Sequence, residues 1–180
     1  MVFQNLEVKD YPEFVKKFNE TYPQGERRLY KSAEHVANYI KMKGGKFHGF
    51  AYDDGGEDYL GFITYWTLNH LVFIEHLETV KDHGKNVERK LLSHLFEMAE
   101  PNALIEVENP ESSPEASERV IFLEKEGFKL REDINYVQPN KTAMESGVRI
   151  MLMTHGDVDL KDNRELREML TEVYNLNAGI

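Results

Sequence analysis

The chain has 180 residues, 41% of them apolar, which is enough to bury a proper core within one domain. Its net charge of -10 argues against broad binding to nucleic acid or to an anionic membrane, while short local clusters of basic residues still allow a small anionic ligand. The absence of cysteine excludes disulfides, thiolate zinc sites and a cysteine nucleophile.

The start, "MVFQNLEVKDYPEF", lacks the basic and apolar regions of a signal peptide, and no apolar run approaches the length of a membrane span. A cytoplasmic protein is therefore expected. "VFQNLEV" alternates enough to be a strand. "DYPEFVKKFNETY" reads as a helix capped by Asp10, with Phe14, Val15 and Phe18 on its apolar face. A second helix, "SAEHVANYIKMK", runs from a Ser32 cap to a stop at Gly44-Gly45. Two aromatic-rich runs flanking "DDGG" then predict a hairpin, from Phe47 to Trp66. Its aromatic residues belong mostly to the core, with Tyr65 able to line an acceptor pocket. A third strand is expected around Leu71 to Leu77.

The next segment, "KDHGKNVERKLLSHL", places Gly84 and Lys85 between that strand and an amphipathic helix carrying Val87, Leu91, Leu92, Leu95 and Met98. A helix N-terminus in this position presents backbone N–H groups and a positive dipole end to an anion. Two readings of Asn86 and Glu88 stay open. Asn86 caps the helix and Glu88 complements its dipole, or both belong to an anion site that has departed from the usual glycines. Lys81, Lys85, Arg89 and Lys90 supply a positive field in the second case.

"ALIEVEN" is a further strand. "SPEASERVIFLEKEGF" is a helix with Ser113 as cap, Pro114 at its first position and Gly127 as its stop. Strand-like "FKL", "NYVQ" and "VRIMLMT" follow, and "DNRELREMLTEVY" is a last amphipathic helix with Asp162 and Glu165 at capping-box spacing. Leu166, Leu170 and Val173 form its apolar side. The order predicts an α/β (α+β) fold on a mixed sheet, one domain over 1–180 with 156–180 as a C-terminal helical extension. No Gly-x-Ser-x-Gly elbow, phosphate-loop lysine or His-Glu-x-x-His occurs, and the seven histidines show no paired ligand spacing, so no metal is expected.

With these residues in this order the chain resembles the GNAT superfamily of acyl-CoA-dependent N-acetyltransferases, through about Thr154. "FIEHL", "IEVENP", Arg119 ahead of "FLEKEGF", "YVQP" and "VRIMLM" look like one bacterial branch that reads "YIEHF", "EVEPP", "FYERLGF", "YIQPP" and "LRLMS". The resemblance implies a mostly antiparallel central sheet flanked by helices, with acyl-CoA in a cleft where two strands splay apart. It implies acetyl transfer from acetyl-CoA to an amine acceptor, a small molecule or a protein amine, with no nucleic acid or membrane partner; a homodimer is left open.

The family's pyrophosphate pattern, Gln/Arg-x-x-Gly-x-Gly/Ala, falls on His83, Gly84, Lys85, Asn86, Val87 and Glu88. Only Gly84 and Lys85 look like the usual form. Leu77, Glu78 and Thr79 correspond to the stretch whose backbone holds the pantetheine arm and the thioester carbonyl. Glu75 is the candidate general base: alternation puts it on one face with Phe73 and Leu77, the face that looks into the cleft in this family. The alternative for Glu75 is a structural hydrogen bond or ion pair. His76 is expected on the opposite face, as a satisfied core histidine. The family's usual tyrosine near the sulfur aligns with Leu123, which cannot donate a proton, so the CoA thiolate would leave without a dedicated acid, or Tyr136 or a water would serve. A second reading of the whole chain follows: a GNAT-fold binding or regulatory module with weakened catalysis.

Overall fold

The computed structural model describes residues 2–5, 16, 47–53, 59–68, 70–79, 84–99, 101–137, 149–160, 168, 170, 171 and 173. Among the described residues seven strands form one sheet, in the order β1 (Val2–Asn5), β2 (Phe47–Asp53), β3 (Gly61–Leu68), β4 (Leu71–Thr79), β5 (Ala103–Glu108), β7 (Ile150–His155) and β6 (Lys129–Leu130). Helix α1 (Gly84–Met98) joins β4 to β5, and α2 (Pro114–Lys125) joins β5 to β6. The β1–β2, β2–β3, β5–β7 and β6–β7 ladders are antiparallel, whereas β4 and β5 run parallel. The mixed, mostly antiparallel sheet with flanking helices is the architecture that the sequence predicts. Of the helix expected over 10–22 only Lys16 is described, and it is helical; the helix expected over 32–43 and residues 54–56 of the "DDGG" turn lie outside the described residues.

The chain divides into two compact units, and the boundary passes through β4. One unit holds β1, β2, Gly61–Thr67 of β3, Glu75–Thr79 and α1. Here the β2–β3 register puts Phe47 opposite Trp66 and Phe50 opposite Ile63, so alternate residues sort onto two faces. Helix α1 covers the face that carries Phe3, Phe50, Tyr52 and Gly61. His94 stacks on Phe3 at 3.8 Å and meets Phe50 edge-on at 4.9 Å, while Lys90 Nζ donates to Tyr52 Oη at 2.8 Å. Val87, Leu91, Leu92 and Leu95 are buried along α1, the stripe expected from its helical spacing. Tyr65 is buried too, stacked on His48; burial raises its pKa and lowers that of His48. Tyr65 is thus a core residue, packed edge-on against Phe50.

The other unit holds the first half of β4, then β5, α2, β6 and β7. Helix α2 follows its local signals closely. Ser113 is extended and its Oγ accepts from Ala116 N–H at 3.0 Å, and Pro114 occupies the first turn, where no N–H is needed. At the far end Gly127 adopts φ 91°, its N–H donating to Glu124 and that of Phe128 to Leu123, which closes the helix with a Schellman turn. Ser113→Ala should remove one cap bond and cost about 1 kcal/mol, lowering Tm by roughly 2–4 °C in a protein of this size. A thermal melt of the variant checks it; an unchanged Tm would mean another acceptor had taken over the Ala116 amide.

One expected strand is absent. Asn135–Val137 of "NYVQ" are not in a strand; Gln138 is outside the described residues. The chain turns instead at Glu132 and Asp133. Arg131 grips Asp133 through Nε and Nη2 at 2.8 and 2.7 Å, raising its own pKa and lowering that of Asp133 through those hydrogen bonds. Tyr136 N–H then closes on the Ile134 carbonyl at 2.9 Å, a tight local turn that strand pairing cannot accommodate. Of the C-terminal segment, Glu168, Leu170, Thr171 and Val173 are helical, with Leu170 and Val173 fully buried; Leu166 lies outside the described residues.

Candidate functional site

Residues from Glu75 to Glu88 carry nearly all the expected chemistry. Glu75 lies in β4, half-buried, and its Oε2 accepts a hydrogen bond from the Trp66 indole at 2.9 Å. The bond comes from β3, within the same compact unit. Neighbouring His76 is also satisfied, its Nδ1 lying 2.8 Å from Thr64 Oγ1. Trp66 and Thr64 are alternate residues on β3, so two consecutive residues of β4 find partners from one face of that strand. A strict alternation would have separated them.

Beyond Glu75 the strand continues through buried Leu77 to half-exposed Glu78 and Thr79. The parallel ladder to β5 comprises Val72–Ala103, Phe73–Leu104 and Ile74–Ile105. Glu75–Thr79 therefore follow its last pair. The Glu78 carbonyl oxygen lies against β3, 2.7 Å from the place where a Cβ on Gly61 would stand. The backbone groups of Leu77 and Thr79 flank it along the strand. These are the backbone groups that the family resemblance assigns to an acyl thioester.

Helix α1 begins at Gly84, and His83 lies outside the described residues. Gly84 has φ 56°, a conformation that costs an ordinary L-residue about 1–2 kcal/mol, and a Cβ added to it would meet nothing within 4 Å. Gly84, Lys85 and Asn86 are exposed there, at the positive end of the helix. Open space at a helix N-terminus and an exposed lysine suit a pyrophosphate. Asn86 does not cap the helix: it is the third helical residue, because the chain enters the helix at Gly84. Nor is Glu88 a solvated first-turn acid. It lies one turn in, only 9% exposed, beside buried Val87 and Leu91. The capping reading of both residues therefore fails.

In the second unit Leu123 is fully buried, so the position aligned with the family's tyrosine is core packing. Tyr136 is half-buried and its Oη donates to Glu106 Oε1 on β5. Its proton is committed to a carboxylate, and serving a thiolate would require breaking that bond. Glu106 did not stand out in the sequence; a carboxylate just past the last β4–β5 ladder pair was the only available signal. Among the described residues no group of three or more His, Asp or Glu could hold a metal ion, and no helix is long and apolar enough to cross a membrane.

Comparison with solved structures bears on this arrangement directly. A GNAT-family protein from Bacteroides thetaiotaomicron, assigned as an acetyltransferase, is 28% identical and superposes with a TM-score of 0.76 over 97% of this chain and 98% of its own. The chain has the GNAT acetyltransferase fold. Other GNAT-fold neighbours are more distant and speak for the fold alone. A ribosomal-protein-alanine N-acetyltransferase from Brucella melitensis is 13% identical, with a TM-score of 0.63 over 86% of this chain and 98% of that one. An N-acetyltransferase from Thermoplasma acidophilum, solved in complex with coenzyme A, is 14% identical, with a TM-score of 0.58 over the same shares. The sequence itself matches no protein-family model and no curated protein.

Proposed function

We propose that this protein is an N-acetyltransferase that moves an acetyl group from acetyl-CoA to an amine acceptor, with Glu75 as the general base. The observation that carries the reading is the Glu75 carboxylate. It is half-buried, held by Trp66, and placed just past the last β4–β5 pair in a fold shared along nearly the whole chain with a GNAT-family protein. Bound acetyl-CoA would supply an activated acyl group on a thiolate leaving group. The residues of this chain do the rest. The backbone of Leu77, Glu78 and Thr79 would hold the acyl arm, and His83, Gly84, Lys85, Asn86, Val87 and Glu88 would form the pyrophosphate loop. Amides and the helix dipole there contribute about 0.3–1 kcal/mol each. Glu88 opposes the phosphates if its carboxylate faces them, by roughly 1 kcal/mol at ~4 Å in water.

Glu75 takes the proton from the acceptor ammonium, directly or through one water, freeing the lone pair for attack. Among the described residues Leu123 is core and Tyr136 is engaged with Glu106, so the CoA thiolate would leave without a dedicated side-chain acid or be protonated by a water. The protein would act in the cytoplasm. The buried Leu123 and Glu88 favour a second reading, a module that binds CoA and has lost turnover.

Acetyl-CoA at about a hundredfold excess over Kd should stabilise the fold by about 2.7 kcal/mol and raise Tm by roughly 5–10 °C. The shift should shrink as salt rises, because the loop contacts are electrostatic. A flat melting curve would remove the cofactor site and both readings with it. A shift without acetyl transfer to any member of a broad amine panel would leave the binding module.

A further inference from the structure

Trp66 is the one tryptophan of the chain, and its side chain is almost fully buried, at 1% exposure. The indole N–H is a donor with no acceptor capacity, so its burial demands a partner. That partner is Glu75 Oε2, at 2.9 Å. The ring cannot swing away to find another, because Phe47, its cross-strand partner on β2, packs against it edge-on at 5.2 Å. A packing requirement of β3 thereby fixes the direction of a carboxylate on β4. A carboxylate has about four lone-pair sites, and the indole bond occupies one of them.

We propose that Trp66 is the positioning residue of the Glu75 base, holding its carboxylate in one orientation and in the proton-accepting form. The inference rests on the reading of Glu75 as base and adds what tunes it. A hydrogen bond donated to the ionised form favours that form, so losing the donor makes Glu75 hold its proton to higher pH. Other titratable groups of the described residues stand on the same and the neighbouring strands. On β4 itself His76 is bonded to Thr64, and Glu78 lies further along. On β2 and β3, His48, Tyr52 and Tyr65 stand on the face covered by α1, with its Lys90 and His94, while Asp53 is at the opposite end of β2 from Phe47. On β5, the parallel neighbour in the sheet, Glu106 accepts from Tyr136 and Glu108 ends the strand.

Because the chain has a single tryptophan, replacing Trp66 by 3-benzothienylalanine swaps its one N–H donor for a sulfur while nearly keeping the shape of the ring. The acid limb of the pH–rate profile for kcat should move up by about one to two pH units, so turnover on that limb falls at least about tenfold. The plateau rate should stay within a few-fold and KM for acetyl-CoA should not change. Independently, Trp66 fluorescence in the unmodified protein should titrate with the midpoint of that limb, and Glu75→Gln should abolish the titration. An unmoved limb, with Glu75→Gln still inactive, would make Trp66 a packing residue and overturn the inference while sparing the base. Full turnover in Glu75→Gln would overturn the base reading and the inference together. If the isostere failed to fold, the fluorescence titration would decide: a midpoint matching the limb supports the positioning role, and a flat trace overturns it.

Discussion

Glu75→Gln should lower turnover by about 10²–10⁴ and erase the acid limb of the pH–rate profile, while acetyl-CoA still binds. The amide has nearly the shape of the carboxylate, and its oxygen can still accept from the Trp66 indole, so the buried donor is not stranded. The cofactor contacts proposed for Leu77, Glu78 and Thr79 are made by backbone, so the side-chain change should leave affinity alone. These expectations separate chemistry from structure. If Glu75 served only to satisfy Trp66, the variant would keep its turnover and lose at most about 1 kcal/mol, the weakening of one charge-assisted bond to a neutral one. Steady-state kinetics across pH, a CoA titration and a melt on this one variant distinguish the two. Retained turnover with a normal acid limb would end the assignment of Glu75 as base.

What the sequence made legible was what local chemistry decides. Ser113, Pro114 and Gly127 mark the ends of α2 because caps and a left-handed turn depend on adjacent residues alone. A strand-like apolar run likewise locates β4, while the family resemblance singles out Glu75, with alternation assigning only its face. The parts that stayed hidden depend on residues far apart in the chain. Nothing near Glu75 announces that Trp66 will donate to it, nor that Glu106 will meet Tyr136, thirty residues on. The capping alternative for Asn86 follows from the preference of asparagine for that position, yet Gly84 tolerates a positive φ and the helix starts there instead. The stretch Asn135–Val137 has strand-like residues, but the Arg131–Asp133 grip turns the chain first. Propensity lost to a specific pair of side chains, as it commonly does in short segments.

Gly61 was the plainest omission, and Gly61→Ala should be among the most damaging small substitutions in this protein. The residue opens β3 opposite Tyr52, and its backbone is not left-handed, so the need for glycine here is one of space. A Cβ would stand 2.7 Å from the Glu78 carbonyl oxygen, 2.8 Å from Val87 Cγ1 and 3.2 Å from Leu91 Cδ1. Leu91 can yield, but Val87 is β-branched and stiff within a helix, and a backbone oxygen cannot rotate away. The end of β4 and the first turn of α1 would have to retreat from β3. Overpacking of this kind costs about 1–3 kcal/mol, or roughly 3–10 °C in Tm at this size. The parts displaced are also the proposed cofactor contacts, Glu78 between Leu77 and Thr79, and Val87 in the pyrophosphate loop. Acetyl-CoA affinity should therefore fall by about tenfold or more, beyond any loss of folded protein, since small misplacements of binding groups are costly. Adding Val87→Ala should relieve one of the two hard contacts and restore part of the affinity in a double-mutant cycle, though not all, because the carbonyl contact remains. A Gly61→Ala protein with unchanged Tm and unchanged CoA affinity would show that β3, β4 and α1 are not so closely joined, and that the loop is positioned by something else.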